Sequence, residues 1–166
     1  MAHCDVDSKN PPPRRIGAVV LLRTSTGSVL LVKPTYREGW QLPGGGAHQG
    51  EQIADAAARE LKEETGLTRQ LSHFLALDQV SASENGSSAE GFNIVVDGGT
   101  LTSAEAASVA IPDSASGELS DIKWVPLDRL GEYTQPYQER RIRAAVAAAV
   151  AGARLPLLEH GRTVGE

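Results

Sequence analysis

Three glutamates, Glu60, Glu63 and Glu64, carry the densest chemistry in the chain. On a helix they stand at i, i+3 and i+4, so their carboxylates project from about one face. Like charges at that spacing destabilise an isolated helix by a few tenths of a kcal/mol per pair. A hard divalent cation removes that penalty, because clustered carboxylate oxygens suit Mg²⁺ or Mn²⁺. A bare Glu-x-x-Glu-Glu helix is more often a solvated acidic face, so the neighbouring residues decide. Glu51 lies where the helix begins, and a negative charge there favours the positive end of the dipole. Arg59 precedes the carboxylates and can hold one of them, or Glu51, by charge-assisted hydrogen bonds. The plain rival for these two is a surface i,i+4 network running from Asp55 through Arg59 to Glu63.

The elements that position these groups follow from periodicity and punctuation. A helix is expected from Gln52 to Thr65, stopped by Gly66 at the C′ position. Ile53, Ala54, Ala57, Ala58 and Leu61 fall on its neighbouring face, ready to pack on a sheet. Upstream, Ile16 to Leu22 and Val29 to Lys33 read as strands around a Thr26-Gly27-Ser28 turn. Trp40-Gln41-Leu42 is a short extended piece, and Pro43-Gly44-Gly45-Gly46 is expected to stop regular structure and allow unusual backbone angles. Downstream, Leu71 to Leu77, Phe92 to Val96 and Ile122 to Val125 read as strands, with a short helix from Ser103 to Val109. Loops are expected over 81–91 and 112–120, and Pro126 to Leu130 turns into a single helical turn. The last helix opens near Pro136, with Ile142, Ala145, Val146, Ala149 and Val150 as its buried face. Strands, helix, strands, helix in that order imply a mixed sheet sandwiched between helices, an α/β (α+β) class.

Composition narrows the partners. The 166 residues fit one domain, 40% are hydrophobic, and the net charge of −5 argues against a non-specific binder of nucleic acid or of an anionic membrane. A small anionic ligand held by local cations or metal ions is compatible with it. The single cysteine, Cys4, forms no intrachain disulfide and no Cys-rich zinc site. No secretory signal is visible, and the longest apolar stretch, Ala144 to Ala153, is too short and Ala-rich to span a bilayer. A cytoplasmic setting is the expected default.

Gly45, Glu51, Arg59-Glu60-Leu61, Glu63-Glu64 and Gly66-Leu67 together resemble the Nudix box, matched at every specified position across residues 45–67. The resemblance, to MutT-like Nudix hydrolases, implies the Nudix fold: an α/β/α sandwich with a mixed, partly curled β-sheet over 14–158. A flexible lead-in, 1–13, and a tail, 159–166, would flank it. It implies Mg²⁺- or Mn²⁺-dependent attack of water on a phosphorus of a nucleoside diphosphate linked to another group. Glu60, Glu63 and Glu64, with the carbonyl of Gly44, would hold the metal, while Glu51 and Arg59 support them. An acid outside the box often acts as base or extra ligand; Glu118 is the first candidate, ahead of Asp121 and Glu90. Lys33 and Arg37 could contact phosphates, and Tyr36 or Trp40 could stack on a base, with Trp40 better suited to the core.

Three subclass signatures are missing. Ala82 and Ser83 stand where ADP-ribose-cleaving relatives carry a proline, no tyrosine marks a diadenosine-polyphosphate enzyme, and the coenzyme A signature is absent. A nucleoside-triphosphate preference is left as the default. The partner expected is a small nucleotide-type substrate, acted on by a monomer or homodimer. Two rivals share the fold. A ligand sensor without hydrolysis commonly loses box carboxylates and carries a DNA-binding domain, whereas this chain keeps the former and has no room for the latter. An isoprenoid diphosphate isomerase needs a protonating cysteine deep in its pocket, a role for which Cys4 in the lead-in is poorly placed.

Overall fold

The computed structural model describes residue 7 and residues 9–165. Cys4 and most of the expected lead-in, residues 1–6 and 8, lie outside the described residues. Strand β1 (Arg15–Thr24) is the axis of the sheet. Its run Val20-Leu21-Leu22 is fully buried, as expected of a strand covered on both faces, where hydrophobic residues follow one another without alternation. Along one side β1 pairs in parallel with β5 (Gly91–Leu101), from Arg15 opposite Gly91 to Thr24 opposite Leu101. That long register carries β5 well past the Phe92 to Val96 core of the expected strand.

The other side of β1 is shared. Strand β2 (Val29–Pro34) meets it only where Arg23 faces Val29, beside the expected turn. The N–H and C=O groups of Gly17 to Val19 are paired instead by β3 (Gly44–Gly46), antiparallel, with Gly17 opposite Gly46 and Val19 opposite Gly44. The glycine run therefore continues regular structure where the sequence reading has it stop. A central strand cannot leave its backbone donors unpaired in the interior, and at Gly44 and Gly45 a side chain would run into β1 or Glu60. The rest of the mixed sheet is β6 (Leu119–Val125) against β2, β4 (His73–Val80) against β5, and β7 (Leu155–Pro156) against β4, all antiparallel. The expected loop over 112–120 contains a 3₁₀ turn, Asp113–Ala115, and gives its last residues to β6.

Two helices cover the sheet. Helix α1 (Ile53–Thr65) places Ala54, Ala57 and Leu61 on Val20, Leu22, Leu30 and Ile94. It ends as expected, with Gly66 at φ +74° donating its N–H to the Lys62 carbonyl. A short helix, α2 (Ser103–Ser108), is closed by a capping box between Thr102 and Glu105, and α3 (Leu130–Tyr133) forms one turn before the last helix. That helix, α4 (Pro136–Val150), covers the opposite face, packing Ile142, Ala145 and Val146 on Leu21, Leu31 and Val95. Val150 departs from the expected face. The final turn runs past the cover over Val146, and the Val150 side chain is 77% exposed. Trp40 is buried against the edge of Tyr133, ring centroids 5.7 Å apart, so it belongs to the core. After β7 a hairpin of β8 (Leu158–Glu159) and β9 (Arg162–Thr163) brings Val164 back onto the α1 side of the core.

Leu61 is fully buried between α1 and the sheet, so Leu61→Ala is expected to cost about 2–4 kcal/mol of unfolding free energy in urea titrations. Val150→Ala is expected to stay within about 0.5 kcal/mol. A loss below about 1 kcal/mol at Leu61 would contradict this packing.

Candidate active site

The close approach of β3 to α1 builds the site. Gly44 has φ +133°, and a Cβ there would collide with the Ala18 carbonyl oxygen and the Val19 backbone. Gly45 lies flat against the Glu60 carboxylate, and a Cβ there would overlap all three of its carboxyl atoms. Gly44 must therefore be glycine for the strand to pair with β1, and a side chain at Gly45 would push the Glu60 carboxylate aside. In return the Gly44 N–H donates to Glu64 Oε2 at 2.7 Å. Glu64, one helical turn beyond Glu60, is 7% exposed.

Arg59 organises the outer half. Its Nε and Nη2 donate to Glu51 Oε1 and Oε2 at 2.8 and 2.9 Å, a bidentate pair, and Nη2 also reaches the Gly46 carbonyl at 3.1 Å. Nη1 donates to Glu60 Oε1 at 2.8 Å and Glu63 Oε2 at 3.2 Å. Among the described residues Asp55 takes no part in this network, so the plain surface arrangement is replaced by one that ties helix, strand and box acids together. The Arg59 guanidinium, helped by the His48 N–H at 2.8 Å, holds the Glu51 carboxyl down at about 2. Its stabilising contribution is present above the ordinary value of 4.5 and is lost as the pH falls toward 2. The same contacts raise the Arg59 pKa, led by the bond to Glu51.

Glu64 is the opposite case. Burial pushes its carboxyl up to about 8; the Gly44 N–H opposes the rise, and the negative charges of Glu60 and then Glu118 add to it. Arg37 is the one cation among these influences, and its pull is the weakest of them. The three box acids are in different settings: Glu64 buried, Glu60 mostly covered, Glu63 pointing outward with 58% of its side chain exposed. Among the described residues no ready-made cluster of three metal-binding side chains is present, because Nη1 of Arg59 bonds both Glu60 and Glu63. The donors nonetheless suit a hard cation. They are carboxylate oxygens, one of them buried without a bonded cation, beside a backbone cradle that admits no side chain.

The remaining candidates separate. Glu118, at the end of the loop before β6, is exposed, and its backbone carbonyl accepts from the Thr35 N–H at 2.8 Å. Its charge reaches Glu64. Asp121 faces Lys33 across the β2–β6 ladder, and Glu90 is bound to Arg14 at 2.8 Å. Tyr36 and Arg37 line a cavity of about 300 Å³ that also borders Gly44, Gly45 and Gly46, whereas Lys33 stands outside its wall. The cavity adds polar residues that sequence reasoning missed: Gln41 from the bridge to Val32, Asn93 from β5, and Arg141 from α4. A signal for Arg141 existed in its place beside Ile142, a charged residue bordering a buried helical face.

The raised Glu64 carboxyl gives a signed expectation. Its native value lies above the unfolded one, so its contribution is complete below 4.5 and lost as the pH rises through about 8. In chelator-treated protein the thermal midpoint should fall across that window, by an amount worth on the order of a few kcal/mol. Glu64→Gln should flatten the fall, and excess Mg²⁺ should reverse it. Parallel pH profiles for the two proteins under chelator would contradict this reading of Glu64.

Comparison with known proteins gives the family and the fold. The family model described as NUDIX domain matches residues 13–148. A putative 8-oxo-dGTP diphosphatase of Bacillus subtilis is 30% identical over 126 residues, 76% of this chain and 76% of that protein. An RNA pyrophosphohydrolase of Xylella fastidiosa is 47% identical over 49 residues, 30% of this chain but only 25% of its own length. Among solved structures, a MutT protein from Methanosarcina mazei superposes with a TM-score of 0.66 at 25% identity, covering 84% of this chain and 96% of that one. The mixed sheet between helices is thus the same architecture. Among the described residues no helix is long and apolar enough to cross a membrane.

Proposed function

This chain belongs to the NUDIX domain family, a hydrolase acting on phosphorus anhydrides, and we propose that it cleaves the diphosphate linkage of a small nucleotide with divalent-metal help. The observation that carries this reading is the apposition of Glu60 and Glu64 to the Gly44-Gly45 backbone beside a cavity. Glu60, Glu63, Glu64 and the Gly44 carbonyl would hold Mg²⁺ or Mn²⁺. The cation would supply Lewis-acid neutralisation of the diphosphate and acidify the attacking water.

The chain's own residues divide the rest of the work. Glu51 and Arg59 fix the Glu60 carboxylate and β3 in place. For Glu63 to bind metal, its weaker bond to Arg59 gives way while Glu51 keeps the guanidinium in place. Glu118 is exposed and its charge reaches Glu64; it would accept the proton of the attacking water on its carboxylate. Arg37 would draw the phosphates in, and Tyr36, 70% exposed beside it, would stack on the base. Lys33, outside the cavity wall, would act on phosphates only by long-range attraction. The substrate class follows the default of a nucleoside triphosphate, supported by the diphosphatase name of the Bacillus subtilis relative, and the setting is cytoplasmic.

Neither rival gains support. The box acids that a sensor commonly loses are in place around β3, and the relatives named above are diphosphatases and pyrophosphohydrolases. The cysteine an isomerase would need is Cys4, outside the described residues.

The test is a panel of nucleoside triphosphates, dinucleotides and nucleotide sugars, each with Mg²⁺ or Mn²⁺, read by release of phosphate or nucleotide. One nucleotide class should be hydrolysed, and Glu63→Gln and Glu64→Gln should each lower kcat by ~100-fold or more with the circular-dichroism spectrum unchanged. Glu118→Gln should lower kcat by roughly 10-fold to 100-fold. Full activity in the Glu64→Gln protein would overturn the assignment.

A further inference from the structure

The cavity beside β3 has one wall whose chemistry the family reading leaves unused. Arg141 projects from α4 with its side chain only 9% exposed. Its one hydrogen bond among the described residues runs from Nε to Asp78 Oδ2 on β4, at 2.6 Å. The guanidinium carbon lies 5.5 Å from the centre of the Tyr137 ring, so the group is held in place from two sides. Yet Nη2 is buried and has no hydrogen-bond partner among the described residues. A buried guanidinium N–H left without an acceptor is costly, and native structures rarely tolerate it without a reason. Arg141 and Tyr137 both line the cavity, so an acceptor lodged there would lie against the guanidinium that Asp78 and Tyr137 hold.

The charge balance indicates what kind of acceptor. Asp78 already compensates Arg141, so the guanidinium is not a free cation waiting for a phosphate. Among the described residues, the cavity-lining cations without a carboxylate partner are Arg37 and Arg15, the latter with its Nε on the Ala89 carbonyl at 3.0 Å. Gln138 is engaged as well, its Oε1 accepting from the Gln135 N–H at the start of α4. Donors thus outnumber acceptors along the wall. A nucleobase suits it when the edge turned toward α4 carries two acceptors. Guanine offers O6 and N7 there, the pair a planar guanidinium recognises, whereas adenine pairs N7 with an N6 donor.

We propose, resting on the hydrolase reading above, that Arg141 is a specificity-determining residue. It is positioned by Asp78 and Tyr137 to donate to the acceptor edge of a 6-oxopurine base. Its role is to select the base, while the carboxylates around β3 do the chemistry.

The experiment pairs binding with turnover. Binding of GDP and ADP is measured by calorimetry with Ca²⁺, and hydrolysis of GTP and ATP with Mg²⁺, for wild type, Arg141→Met, Arg141→Lys and Asp78→Asn. Wild type should prefer guanine in both assays. Arg141→Met should lower guanine affinity and kcat/KM by roughly 10-fold to 100-fold, mostly through KM, and leave adenine within about threefold. Arg141→Lys keeps the charge but lacks the planar fork and should not rescue guanine preference; Asp78→Asn should lower it in part. Equal losses for both bases, rescue by Arg141→Lys, or no preference in wild type would each overturn the proposal. The two readings fail separately. A guanine preference in binding that depends on Arg141, without hydrolysis of any nucleotide, would remove the hydrolase reading and keep this one. Hydrolysis indifferent to the base would do the reverse.

Discussion

The interaction on which the molecule depends is the hydrogen bond from the Gly44 backbone to a carboxylate that the fold has taken out of water. Removing a charged group from water costs far more than one hydrogen bond returns. Glu64 is therefore tolerated only as a neutral acid, or as an anion when a cation joins it. Everything around it serves that condition. The glycine strand lets the backbone approach Glu60 and Glu64 without a side chain between them, and Arg59 takes up the charge of Glu51 and Glu60. No lysine or arginine bonds Glu64 itself among the described residues. The protein thus holds an electrostatic deficit at one point, which a divalent ion bound there would cancel.

That deficit also explains why the sheet is built with a divided edge. If β2 ran alongside β1 throughout, Gly17 to Val19 would be satisfied and β3 would have no strand to join. Because β2 meets β1 only at Arg23, the lower half of the edge is open, and β3 fills it with its backbone facing α1. The parallel pairing of β1 with β5 on the other side keeps the axis rigid while this edge is specialised. A small change of register in β2 would thus alter the site, although β2 contributes none of the box acids.

The helix with its acids was legible because it is written in local terms: a carboxylate spacing, an apolar stripe and a terminal glycine. Glu60, Glu63 and Glu64 could be placed on one helix, and Gly66 at its end, without knowing what α1 packs on. Their unequal burial could not, because it depends on β3, separated from Glu64 by 20 residues. A run of three glycines reads as a break when propensity alone is considered, and becomes a strand only when a partner edge demands it. Val150 failed for a related reason, since periodicity gives a face but not how far the sheet extends beneath it. Arg141 was hidden because its meaning lies in an unpaired N–H, a property of three-dimensional accounting rather than of residue type.

The most direct measurement is the titration of the Glu64 carboxyl itself, followed by carbon NMR of selectively labelled protein. Under chelator the account predicts a midpoint near 8, as burial dictates, and with Mg²⁺ a midpoint below the ordinary carboxylate value of 4.5. A Glu64 that titrates near 4.5 without metal, or whose midpoint Mg²⁺ leaves unmoved, would contradict the account at its centre.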